Sequence, residues 1–139
     1  MVFSYSRSEQ KLKRLAREAQ GNARAGTPGE AARASDVLIL AVHWSRVDDV
    51  VKLAGDLSGK VIVSCSVPMN ADGTDLVIAH TSSGAEVLAK KIPKARVVSA
   101  FNTVPSEVLF GVFAARRKSK RPSLVYCGDD ASSKMIALS

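Results

Sequence analysis

The run Asp36-Val37-Leu38-Ile39-Leu40-Ala41-Val42-His43-Trp44 constrains this chain more than any other stretch. Its apolar core, Val37 to Val42, is far short of the roughly twenty residues a membrane helix needs. Short unbroken runs of Val, Leu and Ile are the habit of strands buried on both faces, and such strands belong to parallel α/β sheets. The run is therefore expected to be a buried central strand, with a helix from Ser45 to Leu57 packing back on the sheet. Open α/β sheets bind small molecules in the crevice outside the carboxyl ends of their strands, which puts His43 and Trp44 where a ligand would arrive.

The remaining chain alternates in the same way. Val2 to Tyr5 reads as a short strand. Ser6 with Glu9 opens a capping box, and Leu12, Leu15, Ala16 and Ala19 share one helical face that ends at Gly21. Ala23 to Gly26 is a second short strand, and Thr27, Pro28 and Glu30 open a small helix to Ala34. Ser45 and Asp48 form a cap-like pair ahead of Val47, Val50, Val51 and Ala54. Lys60 to Ser64 is a buried strand, Cys65 to Thr81 a long loop, and Ser83 with Glu86 caps a helix that Pro93 stops. Arg96 to Phe101 is a further buried strand, Asn102 to Pro105 a turn into a helix through Val108, Leu109 and Val112, and Ser123 to Cys127 a fourth such run before a helix. Repeated strand and helix with right-handed crossovers predicts one domain over residues 1–139, a doubly wound parallel sheet.

Charge and side-chain chemistry narrow the function. The net charge is +7 over 139 residues, which favours an anionic partner without naming it. The cluster Arg116-Arg117-Lys118-Ser119-Lys120-Arg121 carries no aromatic side chains for base stacking, so it reads as a solvated loop rather than a nucleic-acid contact. Cys65 and Cys127 are too few for a disulfide scaffold and lack metal-ligand spacing, which points to the cytoplasm and to no metal. No stretch reads as a membrane span. His43 stands alone, without a second histidine or a paired carboxylate at useful spacing, and is weighed as a packing residue. Trp44 is weighed as covering the helix-sheet junction, and Asp129-Asp130 as a helix start. No serine has a G-x-S-x-G setting. What remains is a binding cleft without acid-base machinery, and no catalytic residue is assigned. Hydride transfer between two cofactors fits that absence, because the cofactors carry the chemistry. Ser6-Arg7-Ser8 would present two hydroxyls and a guanidinium at a helix N-terminus, which suits a phosphate monoester; the bland alternative is a solvated turn with a serine cap. In a dinucleotide-binding fold, Arg at this point favours the extra phosphate of NADP.

Several ordered motifs resemble the NADP-dependent oxidoreductases that use coenzyme F-420. They are Tyr5-Ser6-Arg7-Ser8 through Lys11, Ala34 to Trp44, Gly59 to Ser64 with Val67-Pro68, Val97 to Pro105, and Cys127 to Asp130. The segment Ala100-Phe101-Asn102 is also similar to the oxidoreductase domain of the Steap metalloreductases. The resemblance implies a Rossmann-like NADP(H)-binding domain and hydride transfer between NADPH and a deazaflavin or flavin-type acceptor. It implies that Ser6, Arg7, Ser8 and Lys11 hold the 2′-phosphate, that Val42, His43 and Val67 line the nucleotide and nicotinamide, and that Asn102 and Ser106 lie near the carboxamide. The partner would be a small dinucleotide, with a homodimer as the assembly.

Two departures accompany the resemblance. The family opens with a strand, a Gly-rich turn and a helix that cradle the pyrophosphate, and this chain carries none of these. In the order 3-2-1-4-5-6 that strand belongs between Val2 to Tyr5 and Val37 to Val42. The last helix also breaks off where the family continues, so the chain reads as a partial domain whose hydride transfer is impaired. The alternative is a non-catalytic remnant serving as an interaction or self-association module.

Overall fold

The computed structural model describes residues 1–6, 8–117 and 122–138; Arg7, Lys118 to Arg121 of the basic cluster, and Ser139 lie outside them. Six strands form two sheets. Strands β1 (Val2–Phe3) and β2 (Arg24–Ala25) pair in parallel as a small sheet. Strands β3 (Val37–Leu40), β4 (Val61–Ser64), β5 (Arg96–Ala100) and β6 (Tyr126–Cys127) form the larger one in sequence order. The first three are parallel, and β6 is antiparallel to β5. Helices α1 (Glu9–Ala19), α2 (Pro28–Arg33), α3 (Val47–Ala54), α4 (Gly84–Lys91), α5 (Ser106–Ala114) and α6 (Ala131–Leu138) connect or follow the strands. The α/β alternation read from the sequence is thus present.

Two helix starts follow the sequence reading closely. Thr27 and Ser83 each accept the N3 backbone N–H while Glu30 and Glu86 reach back to the cap, completing both capping boxes. These carboxylates are held below the usual range by the Thr27 and Ser83 groups that donate to them. The other two expected caps are corrected. Ser8, not Ser6, caps α1 by accepting from the Lys11 N–H, and Glu9 instead pairs with Lys13 at 2.7 Å. The helix expected from Ser45 to Leu57 is a 3₁₀ turn, Trp44–Arg46, followed by α3 over Val47–Ala54. His43 Nδ1 takes the Ser45 N–H, so the imidazole does the capping expected of Ser45.

Burial divides the sheet into two unequal faces. Leu38, Leu40, Ile62 and Val97 point to the side carrying α2, α3 and α4, where Ala32, Val47, Leu88 and Ile92 complete the core. On the other side Val61, Val63, Val98 and Ala100 pack with Ala137 of α6. That helix packs on β4 and β5. Val37 and Ile39, on this second face of β3, are left exposed, Ile39 at 68%. The expectation of a central strand buried on both faces is therefore corrected: β3 is an edge strand, buried on one face.

The last strand is corrected as well. Only Tyr126–Cys127 of the Ser123 to Cys127 run pairs, it runs antiparallel, and both residues are exposed. An antiparallel edge strand on an otherwise parallel sheet is a common end to such folds. Gly128 then passes so close that a Cβ there would stand 2.9 Å from the Val97 carbonyl oxygen, which only glycine avoids.

The two faces predict different sensitivities. Leu88 is fully buried, and Leu88→Ala should cost about 2–5 kcal/mol through poorer packing and the cavity left behind. Ile39→Ala should change stability by less than about 0.5 kcal/mol, as at any exposed site. Urea denaturation of the two variants measures both.

Candidate functional site

The residues singled out from the sequence sit at the carboxyl ends of the parallel strands. Those of β3, β4 and β5 lie together by their shared direction in one sheet. The end of β1 is brought beside them by a tether that the sequence did not reveal: the Tyr5 hydroxyl donates to Asp49 Oδ2 at 2.6 Å, joining the turn after β1 to the first turn of α3. The Asp49 carboxylate, as acceptor, raises the phenol above its ordinary value. Tyr5 takes this position with φ +63°, and Phe101, just after β5, has φ +64°. Left-handed backbone at a bulky residue is costly, and such strain gathers at ligand-facing turns.

At the end of β1, Ser6 Oγ accepts the Ser8 N–H at 3.2 Å, and Ser8 Oγ accepts the Lys11 N–H at 3.3 Å. Both hydroxyls are exposed at the mouth of the eleven-residue α1. Lys13 and Arg14 are drawn into ion pairs with Glu9 and Glu18. Lys11 has no such carboxylate among the described residues and is exposed. Arg7, between the two serines, lies outside the described residues.

The ends of β3 and β4 are joined by a second unforeseen contact. Buried Ser66 donates its hydroxyl to the Val42 carbonyl at 2.7 Å, fixing the turn that carries Val42 against the turn that carries Val67. The nearby Cys65 thiol is pushed up by burial, which disfavours the thiolate a nucleophile would need. Trp44 packs on the core, and a Cβ at Gly84 would meet its ring at 3.2 Å and the Pro68 ring at 3.3 Å. Trp44 thus covers the helix-sheet junction. His43 is exposed, with Nδ1 committed to Ser45 through both the backbone N–H and, at 2.9 Å, the hydroxyl. Asn102 lies in the turn after β5 and Ser106 begins α5; both are exposed. These two share the sheet end with the other candidates, without a hydrogen bond to them among the described residues.

A dinucleotide makes demands that these groups meet in part. Two hydroxyls, a helix N-terminus and an unpaired lysine suit a dianionic phosphate monoester. A pyrophosphate cradle needs glycines whose amides face open space. Gly26 is instead pressed on Val2 and Glu30, and Gly29 on the Leu53 carbonyl. Both glycines therefore serve packing. Asp129 and Asp130 stand apart from the cleft. Asp130 accepts from the Ser133 N–H and from the Ser132 and Ser133 hydroxyls, at the start of α6 as its sequence position suggested.

Comparison with known proteins bears on the same residues. Residues 1–68 match the family model described as NADP oxidoreductase, coenzyme F-420-dependent. The chain is thus similar in sequence to F-420-dependent NADP oxidoreductases. It is 30% identical over 114 residues to the F-420-dependent NADP reductase of Methanocaldococcus jannaschii, covering 78% of this chain and 49% of that protein. It is 31% identical over 105 residues to Metalloreductase STEAP3 of Rattus norvegicus, covering 76% of this chain and 20% of that one. The domain thus spans half or less of these curated relatives. A solved structure of a hypothetical protein from Sinorhizobium meliloti superposes with a TM-score of 0.79 at 25% identity, covering 98% of this chain and 65% of the other. A structure assigned as an F-420-dependent NADP reductase from Arthrobacter shares the fold, with a TM-score of 0.72 at 22% identity over 84% and 54% of the two chains. The α/β fold is accordingly Rossmann-like. No helix among the described residues is long and apolar enough to cross a membrane.

Two measurements check this geometry. Ser66→Ala removes the hydroxyl that donates to the part-buried Val42 carbonyl and should cost about 0.5–1.5 kcal/mol in urea denaturation. The Ser133 and Ser132 donors hold Asp130 at about 2, below its unfolded value of 3.8. Its contribution to stability is therefore complete above the unfolded value and is lost as pH falls through about 2. Asp130→Ala should flatten that acid limb in a pH series of denaturation midpoints while leaving its shape near neutrality unchanged.

Proposed function

We propose that this domain is the nucleotide side of an NADP(H)-dependent oxidoreductase. The observation that carries the reading is the turn after β1: exposed Ser6 and Ser8 hydroxyls and unpaired Lys11 at the mouth of α1, tethered by Tyr5 to α3 and so to the ends of the sheet. With Arg7 between the serines in sequence, this turn holds the 2′-phosphate. Val42 and Val67, braced by Ser66, and His43 at the adjoining turn line the nucleotide and nicotinamide. Asn102 and Ser106 stand at the carboxamide end. The cofactor supplies a hydride when bound, and the protein's part is to orient it toward a deazaflavin such as coenzyme F-420, or a flavin. No side chain is asked to move a proton.

Gly26 and Gly29 serve packing rather than a pyrophosphate, so the proposal includes weak NADPH binding and impaired hydride transfer by this stretch of chain. Free thiols at Cys65 and Cys127 support a cytoplasmic setting. The exposed apolar side chains of α5, Phe110 and Phe113 among them, support a homodimer.

Adenosine 2′-monophosphate isolates the proposed interaction because it carries the discriminating phosphate and no pyrophosphate. It should shift the Ser6, Ser8 and Lys11 amide resonances, and adenosine 5′-monophosphate should not. Lys11→Glu should weaken 2′-monophosphate binding about ten- to a hundredfold, the scale of a single charge-assisted hydrogen bond. Equal response to the two nucleotides would remove the 2′-phosphate assignment. NADPH affinity in the micromolar range would overturn the expected weakness.

A further inference from the structure

The hydrogen bonds around His43 fix which of its ring nitrogens carries the proton. A backbone N–H can only donate, so the Ser45 N–H, 3.3 Å from Nδ1, requires a lone pair on that nitrogen. The Ser45 hydroxyl, 2.9 Å from the same atom, then donates to it as well. The neutral ring therefore carries its proton on Nε2. Nε2 has no hydrogen-bond partner among the described residues, and the side chain is exposed. The backbone beneath the ring is held on both sides. The Arg46 N–H donates to the His43 carbonyl at 2.8 Å, and Ser66 donates to the Val42 carbonyl at 2.7 Å. The turn after β3 thus presents one N–H donor from a braced ring. It offers a proton and not a lone pair, which calls for an acceptor oxygen rather than a metal ion.

We propose that His43, through Nε2–H, is a hydrogen-bond donor to the pyrophosphate of the bound dinucleotide. The inference rests on the nucleotide reading and adds to it a contact for the middle of the ligand. A dinucleotide carries its groups in a fixed order: the 2′-phosphate with adenosine, the pyrophosphate, then the nicotinamide. The strand ends are ordered too. The turn after β1 is tied to α3 by Tyr5 and Asp49, and β3, β4 and β5 are successive neighbours in the sheet. With the 2′-phosphate at Ser6, Ser8 and Lys11 and the carboxamide at Asn102 and Ser106, the pyrophosphate falls at the ends of β3 and β4. Of Val42, His43 and Val67, assigned to that middle, only His43 has a side chain that can donate. Ser45 and Ser66 are already committed, to Nδ1 and to the Val42 carbonyl. An N–H aimed at an anionic oxygen makes a charge-assisted hydrogen bond, and the imidazole does so without itself being charged.

The test uses the full chain and two probes, adenosine 2′-monophosphate and 2′-monophosphoadenosine 5′-diphosphate, which differ by the diphosphate alone. Nitrogen NMR of the free chain at about pH 8, above the range in which imidazoles usually titrate, should show the His43 ring in its Nε2–H form. The diphosphate probe should shift Nε2, and the monophosphate should not. His43→Asn keeps a cap, because its side-chain oxygen reaches the place of Nδ1, and removes the donor at Nε2. It should weaken the diphosphate probe about tenfold or more, the scale of one charge-assisted hydrogen bond, and leave the monophosphate unchanged. His43→Gln, whose amide N–H reaches the place of Nε2, should recover part of that loss. An Nδ1–H ring in the free chain overturns the proposal. So does His43→Asn weakening both probes alike, which would mean that the residue only shapes the turn, or weakening neither. If the Ser6, Ser8 and Lys11 amides answer neither probe, the nucleotide reading fails and the proposal with it. A response there with the His43 ring unmoved overturns the proposal alone.

Discussion

The pairing of β4 on both its edges is the constraint on which the rest of the structure depends. Every residue of Val61–Ser64 is buried, and both neighbouring strands run parallel to it in unbroken register. A strand so placed satisfies its backbone without water and supplies side chains to both cores, Ile62 to one and Val61 with Val63 to the other. The ladder is closed at its amino end by Lys60 and Arg96, whose side chains reach the Ser35 and Gly59 carbonyls. Because three strands share one direction, their carboxyl ends fall on one side. The cleft is a consequence of that shared direction.

The cleft is held by interactions of a different kind from those of the core. Tyr5–Asp49 ties the turn after β1 to α3, and Ser66–Val42 extends the pairing of β3 and β4 into the turns that follow them. Each is a single hydrogen bond of specific geometry, and around Val42 and Trp44 it acts together with packing against the core. Left-handed backbone occurs at Tyr5, in the first of these turns, and at Phe101, in the turn after β5. The core thus compensates for strain concentrated where a ligand would be met.

Unequal covering of the two faces sets the other main property. Helices α2, α3 and α4 bury one side of β3, while α6 packs on β4 and β5 and Ile39 stays exposed. An aliphatic strand is therefore left with an open edge and an open face. Natural proteins blunt such edges with charge or proline; here the exposed positions are Val37 and Ile39. An edge of this composition is suited to being covered.

The alternation of strand and helix was legible in the sequence because each element carries its own local signal. The capping boxes at Thr27 and Ser83 are decided within four residues, and so are the aliphatic runs of β4 and β5. The same locality explains the misreadings. Whether Ser6 or Ser8 caps α1 depends on where Lys13 takes Glu9, and the cap ahead of α3 depends on the orientation of the His43 ring. That the chain is an α/β domain similar to this family, with candidate turns at Ser6 to Ser8, Val42-His43, Val67 and Asn102, follows from sequence by itself, since apolar runs and turn motifs are properties of neighbours along the chain. Tertiary structure alone decided that β3 is an edge, that β6 is antiparallel, and that Tyr5 and Ser66 brace the cleft. Those outcomes depend on what lies beside a residue in space, and a run such as Val37 to Leu40 reads the same whether one of its edges is paired or both.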